Sequence, residues 1–224
     1  MLPGRREPTV SPPSLQKYPR TPHLPWSPGA SADDVRAASA RGLVGREVVA
    51  TEKLDGENTT LYAGGHSHAR SVDSAHHPSR TWVKALAARI GHDIPTGWRL
   101  CGENLYARHS LAYDDLEGYF ALFSVWDEQN TCVSWRDTME WASLLELPTP
   151  RVLYAGPYDE ATLRRITDNL DLSRQEGVVV RLAEAFPYAA FGDSVLKWVR
   201  PNHVQTDEHW AHQTIIPNRL RGAP

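Results

Sequence analysis

The stretch 51–65, TEKLDGENTTLYAGG, carries the turn around which the fold is predicted. The residues before it, EVVATEK (47–53), are mostly apolar or β-branched, and those after it, NTTLYAG (58–64), alternate apolar and polar side chains. This pattern predicts two antiparallel strands joined through Lys53-Leu54-Asp55-Gly56. A lysine at the end of a buried strand, followed by a glycine that permits a sharp turn, suggests a function for this position.

Further strand and helix patterns surround this turn. The predicted strands are SHARSV (67–72), YFALFSVWD (119–127, buried on both faces), EGVVVRL (176–182) and SVLKWVR (194–200). The predicted helices are PSRTWVKALAARI (78–90, with Trp82, Leu86 and Ile90 on one face), SWRDTMEWASLLEL (134–147, with a Ser134–Asp137 capping box) and DEATLRRITDNL (159–170, capped by Asp159). The sequence therefore predicts an α+β fold of antiparallel sheets with helices packed outside.

Size and composition exclude several classes of protein. The 224 residues suffice for one large domain or two small ones, and the net charge of −3 is not that of a strongly basic nucleic-acid binder, although a local basic groove is compatible with it. The two cysteines, Cys101 and Cys132, predict neither a disulfide framework nor a zinc site. Because no apolar run is long enough to cross a bilayer and the N-terminus lacks a secretory pattern, we expect a cytoplasmic protein without membrane contact.

Proline content and periodicity suggest the domain boundaries. Residues 1–16 are Pro-rich without periodicity and are predicted to be a flexible tail. KYPRTPHLPWSPG (17–29) is also Pro-rich, but its aromatic and apolar residues favour an ordered, extended segment pinned onto the domain. We expect one domain over 17–212 and a C-terminal tail over 213–224.

Charged residues occur on or next to the predicted strands, where an unpaired buried charge is costly. They are Lys53, Asp55, Arg70, Glu103, Glu176, Arg181 and Lys197. Taken singly, each has an ordinary interpretation: a solvated strand end, a turn cap, or a surface ion pair between Glu176 and Arg181 of small energetic value. Their order along the chain is more informative than any one of them.

In that order, these elements resemble the covalent nucleotidyltransferase superfamily, which comprises ATP-dependent DNA and RNA ligases and mRNA capping enzymes. The resemblance is carried by Lys53-Leu54-Asp55-Gly56, HARS (68–71), CGEN (101–104), YFALFSVWD (119–127), EGVVVR (176–181) and VLKWVR (195–200). The GEN element and PNHVQTDEHW (201–210) are most similar to the RNA ligases of the phage nick-sealing type.

The resemblance implies a nucleotidyltransferase (ATP-grasp-like ligase adenylation) domain and an ATP-dependent RNA ligase that uses Mg²⁺ or Mn²⁺. Lys53 would attack the ATP α-phosphate to form lysyl-AMP, AMP would pass to an RNA 5′-phosphate, and a 3′-hydroxyl would displace it and seal the strand. Because the attack needs a neutral amine, burial and nearby positive charge are expected to lower the pKa of Lys53. The alternatives are a DNA nick ligase or GTP-using guanylyltransferase, and a non-catalytic module that binds nucleotides or RNA ends.

The resemblance also assigns nucleotide contacts. Glu52 matches the position whose backbone contacts adenine, Phe123 the ring that stacks on it, and Glu103 the carboxylate that binds the ribose hydroxyls. Asp55 and Gly56 belong to the nucleotide-binding turn. An ordinary core position remains the alternative for Phe123, and an Asx-type turn remains the alternative for Asp55.

Phosphate and metal contacts are implied in the same way. Arg70 and Lys197 match phosphate-binding residues, and Glu176 matches a carboxylate that helps hold the divalent metal. Arg181 is a weaker candidate, for which pairing with an acidic neighbour is the alternative. Arg200 is a loose candidate for a second cation, because the last strand lacks the Lys-x-Lys pattern of many relatives.

Basic residues outside these motifs have mainly solvent-facing interpretations. Arg80 and Lys84 are predicted to lie on a solvated helix face, with a basic track for a nucleic-acid backbone as the alternative. A metal site is conceivable for the cluster of histidines, but exposed loop residues able to contact phosphate are preferred: His66, His68, His76 and His77.

Two further departures from the resemblance affect the expectations. Ser124 follows Phe123 where many relatives have an acidic residue. Since only residues 201–224 follow the last strand, we expect no OB domain. Strand binding is then expected to need a partner protein or a helix over NHVQTDEHWAHQ (202–213).

Overall fold

The computed structural model describes residues 14–74, 76–201 and 215–222. In these residues the strands are β1 Glu47–Lys53, β2 Glu57–Tyr62, β3 Ser67–Ala69, β4 Arg99–Asn104, β5 Phe120–Trp126, β6 Thr131–Cys132, β7 Val152–Pro157, β8 Gly177–Leu182, β9 Phe186–Pro187 and β10 Val195–Val199. The helices are α1 Thr81–Ile90, α2 Trp135–Leu144, α3 Glu160–Asp168 and α4 Phe191–Ser194. The strands form two antiparallel sheets, with the orders β10-β8-β1-β7 and β3-β2-β4-β5-β6-β9. The predicted α+β class is confirmed.

The strands before and after the Lys53–Gly56 turn lie in different sheets, so the prediction that they form an antiparallel pair is wrong. β1 pairs with β7 and β8, whereas β2 pairs with β3 and β4. Where the chain crosses between the sheets, a Cβ atom at Gly56 would lie 2.5 Å from the backbone oxygen of Asn104. Because only glycine tolerates this approach, the crossing can place Lys53 at the boundary between the sheets.

The helix starts follow the predicted capping signals. Asp137 N donates to Ser134 Oγ at 3.1 Å at the start of α2, which confirms the capping interaction. Asp159 caps α3 by accepting a hydrogen bond from a backbone N–H of the first turn. β4, β6, β7, β9 and α4 were not predicted from the sequence. β6, β9 and α4 have only two to four residues, and β7 carries glycine and proline at a sheet edge.

Two clusters of buried apolar side chains form the core. One contains Trp126 and the inner faces of β1, β8 and β10, and the other contains Leu122 and the buried faces of α1 and α2. β5 supplies residues to both clusters, which confirms its predicted burial on both faces. In α1, Leu86 and Ile90 are buried as predicted, whereas Trp82 is only partly buried.

The Pro-rich segment 17–29 packs along β10, as expected. Leu24 N donates to Lys197 O at 2.7 Å, and Lys197 N donates to Pro22 O at 2.9 Å. Leu24 is fully buried. The segment therefore covers the outer edge of the four-stranded sheet, which would otherwise present unpaired backbone groups.

Residues 215–222, expected to belong to a C-terminal tail, pack on the chain that follows β4. Asn218 is buried, and its Nδ2 donates to Leu105 O at 2.8 Å. Its Oδ1 accepts a hydrogen bond from Tyr113 N at 3.0 Å. This contact fixes the loop that borders the site described below.

Two predicted segments fall largely or wholly outside the described residues. They are the flexible tail 1–16, of which 14–16 are described, and the helix 202–213. Among the described helices, none has the length and apolar character needed to cross a membrane.

Candidate active site

A cavity of about 710 Å³ opens between the two sheets, a volume typical of ligand sites. Nearly all of the predicted site residues line it: Glu52, Lys53, Asp55, Gly56, Arg70, Glu103, Phe123, Glu176, Arg181 and Lys197. Arg200 is not in its lining; its guanidinium donates to Leu172 O at 3.0 Å and to Ser110 Oγ at 3.2 Å.

Lys53 forms an ion pair with a buried carboxylate inside this cavity. Its position at the end of β1, opposite Gly177 of β8, brings its side chain to Glu176. Nζ donates to Glu176 Oε2 at 2.5 Å, and the Glu176 side chain is only 1% exposed. Burial favours the neutral amine, but Glu176, Glu103 and Asp55 outweigh it and raise the pKa of Lys53. The expectation of a lowered pKa is therefore wrong for Lys53 in this structure.

Glu103 extends from β4 toward the same lysine. Its Oε1 accepts a hydrogen bond from Gly56 N at 3.2 Å. Burial raises the pKa of Glu103 to about 8; Lys53 opposes this effect, and Glu176 and Asp55 reinforce it. Burial and the neighbouring carboxylates therefore favour the protonated form of Glu103.

Asp55 holds a loop in place. Its Oδ2 accepts hydrogen bonds from Ser110 Oγ and from Leu111 N, both at 2.7 Å. Its own backbone N–H donates to Tyr113 Oη at 2.8 Å. With 5% exposure, Asp55 connects the turn after Lys53 to the loop over 110–113. Neither sequence-based interpretation of Asp55, a nucleotide contact or a local Asx turn, predicts these hydrogen bonds to the 110–113 loop.

Phe123 lies in the cavity wall and is fixed from two sides. The ring of Tyr18 meets it edge-on, with centroids 5.3 Å apart. The Arg181 guanidinium donates to Phe123 O at 3.1 Å and to Val133 O at 2.9 Å.

Arg181 is 4% exposed and Glu176 contacts Lys53, so the interpretation of Glu176 and Arg181 as a surface ion pair is wrong.

Lys197 supplies a second cation to the cavity. Burial, together with the positive charge of Lys53, lowers the pKa of Lys197 to about 8. Arg70 lines the cavity and adds to this electrostatic repulsion. The Glu52 side chain is held by Arg151, with Nε and Oε2 3.2 Å apart. Lys197, Arg70 and Glu52 thus all line the cavity.

Other basic residues depart from their predicted exposure. Arg80 lines the cavity, and its Nε donates to Glu57 Oε1 at 2.9 Å, so a solvated face is wrong for this residue. Lys84 is exposed, as predicted. His68 is buried in β3, and its Nε2 shares a hydrogen bond of 2.9 Å with Tyr62 Oη, so an exposed loop position is wrong for it.

The other histidines are distributed without a metal-binding arrangement. His66 and His76 are exposed, whereas His77 is half-buried with Nδ1 2.6 Å from Ser79 Oγ. Within the described ranges, His, Cys, Asp and Glu side chains form no group of three or more suited to hold a metal ion unaided. A divalent ion at Glu176 would therefore also need oxygen atoms from a bound phosphate group.

Sequence reasoning missed several residues around the cavity. Tyr18 lines it from the N-terminal segment, and Arg108 and His109 line it from the loop after β4. Asp34 lies 3.7 Å from the ammonium of Lys197. The aromatic content of 17–29 had suggested that this segment packs on the domain, but nothing local in the sequence indicated which side chains it meets.

Comparison with known proteins agrees with this fold. Two forms of an archaeal ATP-dependent RNA ligase match with TM-scores of 0.57 and 0.58 and identities of 17% and 16%, over 83% of this chain and 48% of theirs. A Naegleria gruberi RNA ligase with PPi matches with a TM-score of 0.50 and 16% identity, over 71% of this chain and 51% of its own. This chain thus covers about half the length of these proteins. At such identities the likeness establishes the fold alone.

Comparison at the level of sequence identifies the family of this chain. None of the curated protein sequences matches this chain. The model of the RNA ligase family, however, matches residues 46–199, well over half of the chain and the part that contains Lys53, Glu103, Glu176 and Lys197. The chain belongs to the RNA ligase family.

Proposed function

We propose that this protein is an ATP-dependent RNA ligase that acts through a covalent nucleotidyl-lysine intermediate at Lys53. The observation that carries the proposal is the placement of Lys53 Nζ 2.5 Å from Glu176 inside a cavity large enough for a nucleotide. An aromatic ring, a carboxylate and a second lysine line the same cavity. These are the groups needed to stack a base, bind a ribose and hold phosphates.

The proposed first step joins Lys53 to AMP. The neutral amine attacks the α-phosphorus of ATP, the bond from that phosphorus to the bridging oxygen of the β-phosphate breaks, and pyrophosphate leaves with the electron pair. The nitrogen loses a proton and a P–N bond remains. An RNA 5′-phosphate oxygen then displaces the lysine to give an AMP-capped end, and a 3′-hydroxyl displaces AMP to form the phosphodiester.

The ion pair with Glu176 holds Lys53 as an ammonium before substrate arrives, because the neighbouring carboxylates raise its pKa. The ammonium must therefore leave Glu176 and lose a proton to solvent before the attack. Glu176 is a hard oxygen donor that fits Mg²⁺ or Mn²⁺ when phosphate oxygens complete the coordination. When bound, such an ion supplies positive charge that stabilises the phosphates and offsets the carboxylates.

RNA is the proposed acceptor. Arg70, Arg80 and Arg108 line the cavity in addition to Lys197, and cationic side chains bind phosphate groups of a nucleic-acid end. We also propose that strand binding beyond the cavity comes from a partner protein or from residues 202–213, which lie outside the described residues. A sealing assay with the purified chain alone tests whether a partner is required.

The test of this function is sealing of labelled strands that carry 5′-phosphate and 3′-hydroxyl ends, with ATP and Mg²⁺ or Mn²⁺. We expect sealed RNA and an AMP-capped intermediate from the wild type and from Lys17→Met, an exposed-lysine control. Lys53→Met should give neither. Preferential sealing of DNA, or use of GTP instead of ATP, would replace this proposal with a DNA ligase or a guanylyltransferase. ATP binding without any covalent product would favour a binding module.

A further inference from the structure

Two side chains of the N-terminal region, Asp34 and His23, lie near Lys197 but outside the cavity lining. Asp34 Oδ1 lies 3.7 Å from Lys197 Nζ, and Asp34 Oδ2 lies 3.5 Å from His23 Nε2. Lys197 belongs to the cavity lining, whereas Asp34 and His23 do not. The ion pair with Lys197 therefore connects Asp34 to the cavity wall.

We propose that Asp34 is a positioning residue that holds the Lys197 ammonium at the cavity wall for the phosphates of a bound nucleotide. The N-terminal segment would then contribute to nucleotide binding as well as cover the edge of β10. This inference rests on the proposed function, because it takes the ligand to be a nucleoside triphosphate.

The geometry fixes Asp34 rather than leaving it as a mobile surface carboxylate. Ser31 N and Ser31 Oγ donate to Asp34 Oδ2 at 3.0 and 2.9 Å, which closes a turn. Behind it, His23 Nδ1 lies 2.8 Å from Ser27 Oγ, which in turn accepts a hydrogen bond from Val199 N at 2.9 Å. His23 and Ser27 are almost completely buried. Ser31 therefore fixes the carboxylate within its turn, and Ser27 ties the preceding segment to the strand that carries Lys197.

The charges around Lys197 give Asp34 a distinct role. Lys53 and Arg70 face Lys197 as cations, while Asp34 and Glu176 face it as carboxylates. Burial and the nearby cation Lys197 lower the pKa of His23 to about 4, so His23 is neutral at physiological pH. Of the two carboxylates that raise the pKa of Lys197, Asp34 has the larger effect, and it lies 3.7 Å from the ammonium.

The size of the effect follows from the pKa of Lys197, which is about 8. Removing the charge of one partly exposed carboxylate at this distance is expected to lower that pKa by about one unit. At pH 8.5 the charged fraction of Lys197 then falls about eightfold, whereas at pH 6.5 most of it stays charged. An Asp34 that served only to close the turn would produce no such dependence on pH.

The experiment measures the dissociation constant of α,β-methylene-ATP with Mg²⁺ at pH 6.5 and 8.5, by calorimetry. This analogue cannot lose pyrophosphate, so its binding is independent of lysine adenylylation. The variants are Asp34→Asn, which retains an acceptor for Ser31, and Asp34→Glu, which retains the charge. Asp33→Asn, at an exposed neighbouring position, is the matched control. Each is also made in a Lys197→Arg background, whose guanidinium stays charged at both pH values.

We expect Asp34→Asn to weaken binding about eightfold at pH 8.5 and less than about twofold at pH 6.5. Asp34→Glu should bind nearly as wild type, Asp33→Asn should bind as wild type, and Asp34→Asn should have little effect in the Lys197→Arg background. Equal losses at both pH values and in both backgrounds, or no loss at all, would overturn the inference. Binding of the analogue by a protein that forms no adduct with ATP would refute the ligase proposal alone. Failure of the folded wild type to bind it would refute both.

Discussion

Replacing Glu176 with glutamine is expected to destabilise the protein and to lower the pKa of Lys53. The Nζ–Oε2 distance is 2.5 Å, and Glu176 is 1% exposed. At an effective dielectric constant of about 20, the gross attraction at that distance is about 6–7 kcal/mol. Desolvation of the carboxylate offsets much of it, and removing one partner of a buried pair typically costs about 3–5 kcal/mol. Glutamine can still accept a hydrogen bond from Lys53, so we expect a loss of about 2–4 kcal/mol.

The pH at which this loss is measured matters. Because the carboxylates raise the pKa of Lys53 above 10.5, the stabilisation is fully present below that pH and is lost as the pH rises through the raised value. Urea unfolding at pH 7 with EDTA therefore measures the full effect. The series comprises the wild type, Glu176→Gln, Lys53→Met and the double variant. Each single variant should lose stability, and the double variant should lose about 2–3 kcal/mol less than the sum of the two.

A matched exposed pair provides the control for this cycle. Arg164 and Glu160 are 2.8 Å apart, but their side chains are 47% and 49% exposed. Their coupling should be about 0.3–0.5 kcal/mol, because solvent screens the interaction. If the Lys53–Glu176 cycle gave a coupling as small as this control, the reasoning that burial makes the pair strong would be refuted.

Three further substitutions test other features of the site. Since burial raises the pKa of Glu103 to about 8, the free energy of unfolding should fall as the pH rises from 4.5 to 8. Glu103→Gln should flatten this pH dependence in urea titrations, and an unchanged dependence would contradict the raised pKa. Asp55→Ala should cost about 2–4 kcal/mol and speed amide hydrogen exchange over 110–113, whereas wild-type protection there would rule out the anchoring role. Gly56→Ala should lower the thermal midpoint, because its Cβ would lie 2.5 Å from Asn104 O; an unchanged midpoint would mean that the crossing does not need glycine.

The elements that were predicted well are those whose side-chain pattern is local and long. β1 has the predicted bounds, and the starts of α2 and α3 follow from Ser134 and Asp159, whose side chains cap the helices within a few residues. The partners of β1 were not predicted. They lie about a hundred residues or more away in β7 and β8, and antiparallel pairing at that separation leaves no local signal.

The residues of the site were predicted from the sequence, but the interactions between their charges were not. The resemblance brought Lys53, Glu103 and Glu176 to one place, and the structure does the same. The pKa of Lys53 depends on the balance between burial and carboxylates that come from three separate elements, and spacing in the sequence does not give that balance. Asp34 was missed for the same reason, since its role depends on a loop meeting the last strand.

Covalent transfer of a nucleotide to Lys53 is tested most directly by intact mass spectrometry. The wild type and Lys53→Ala are measured before and after incubation with ATP and either Mg²⁺ or Mn²⁺, with Lys17→Met as the control for an exposed lysine. The account predicts a gain of one AMP in the wild type and in the control, reversed by pyrophosphate and absent from Lys53→Ala. An adduct that persists in Lys53→Ala, or no adduct in a folded wild type with either metal, would contradict it.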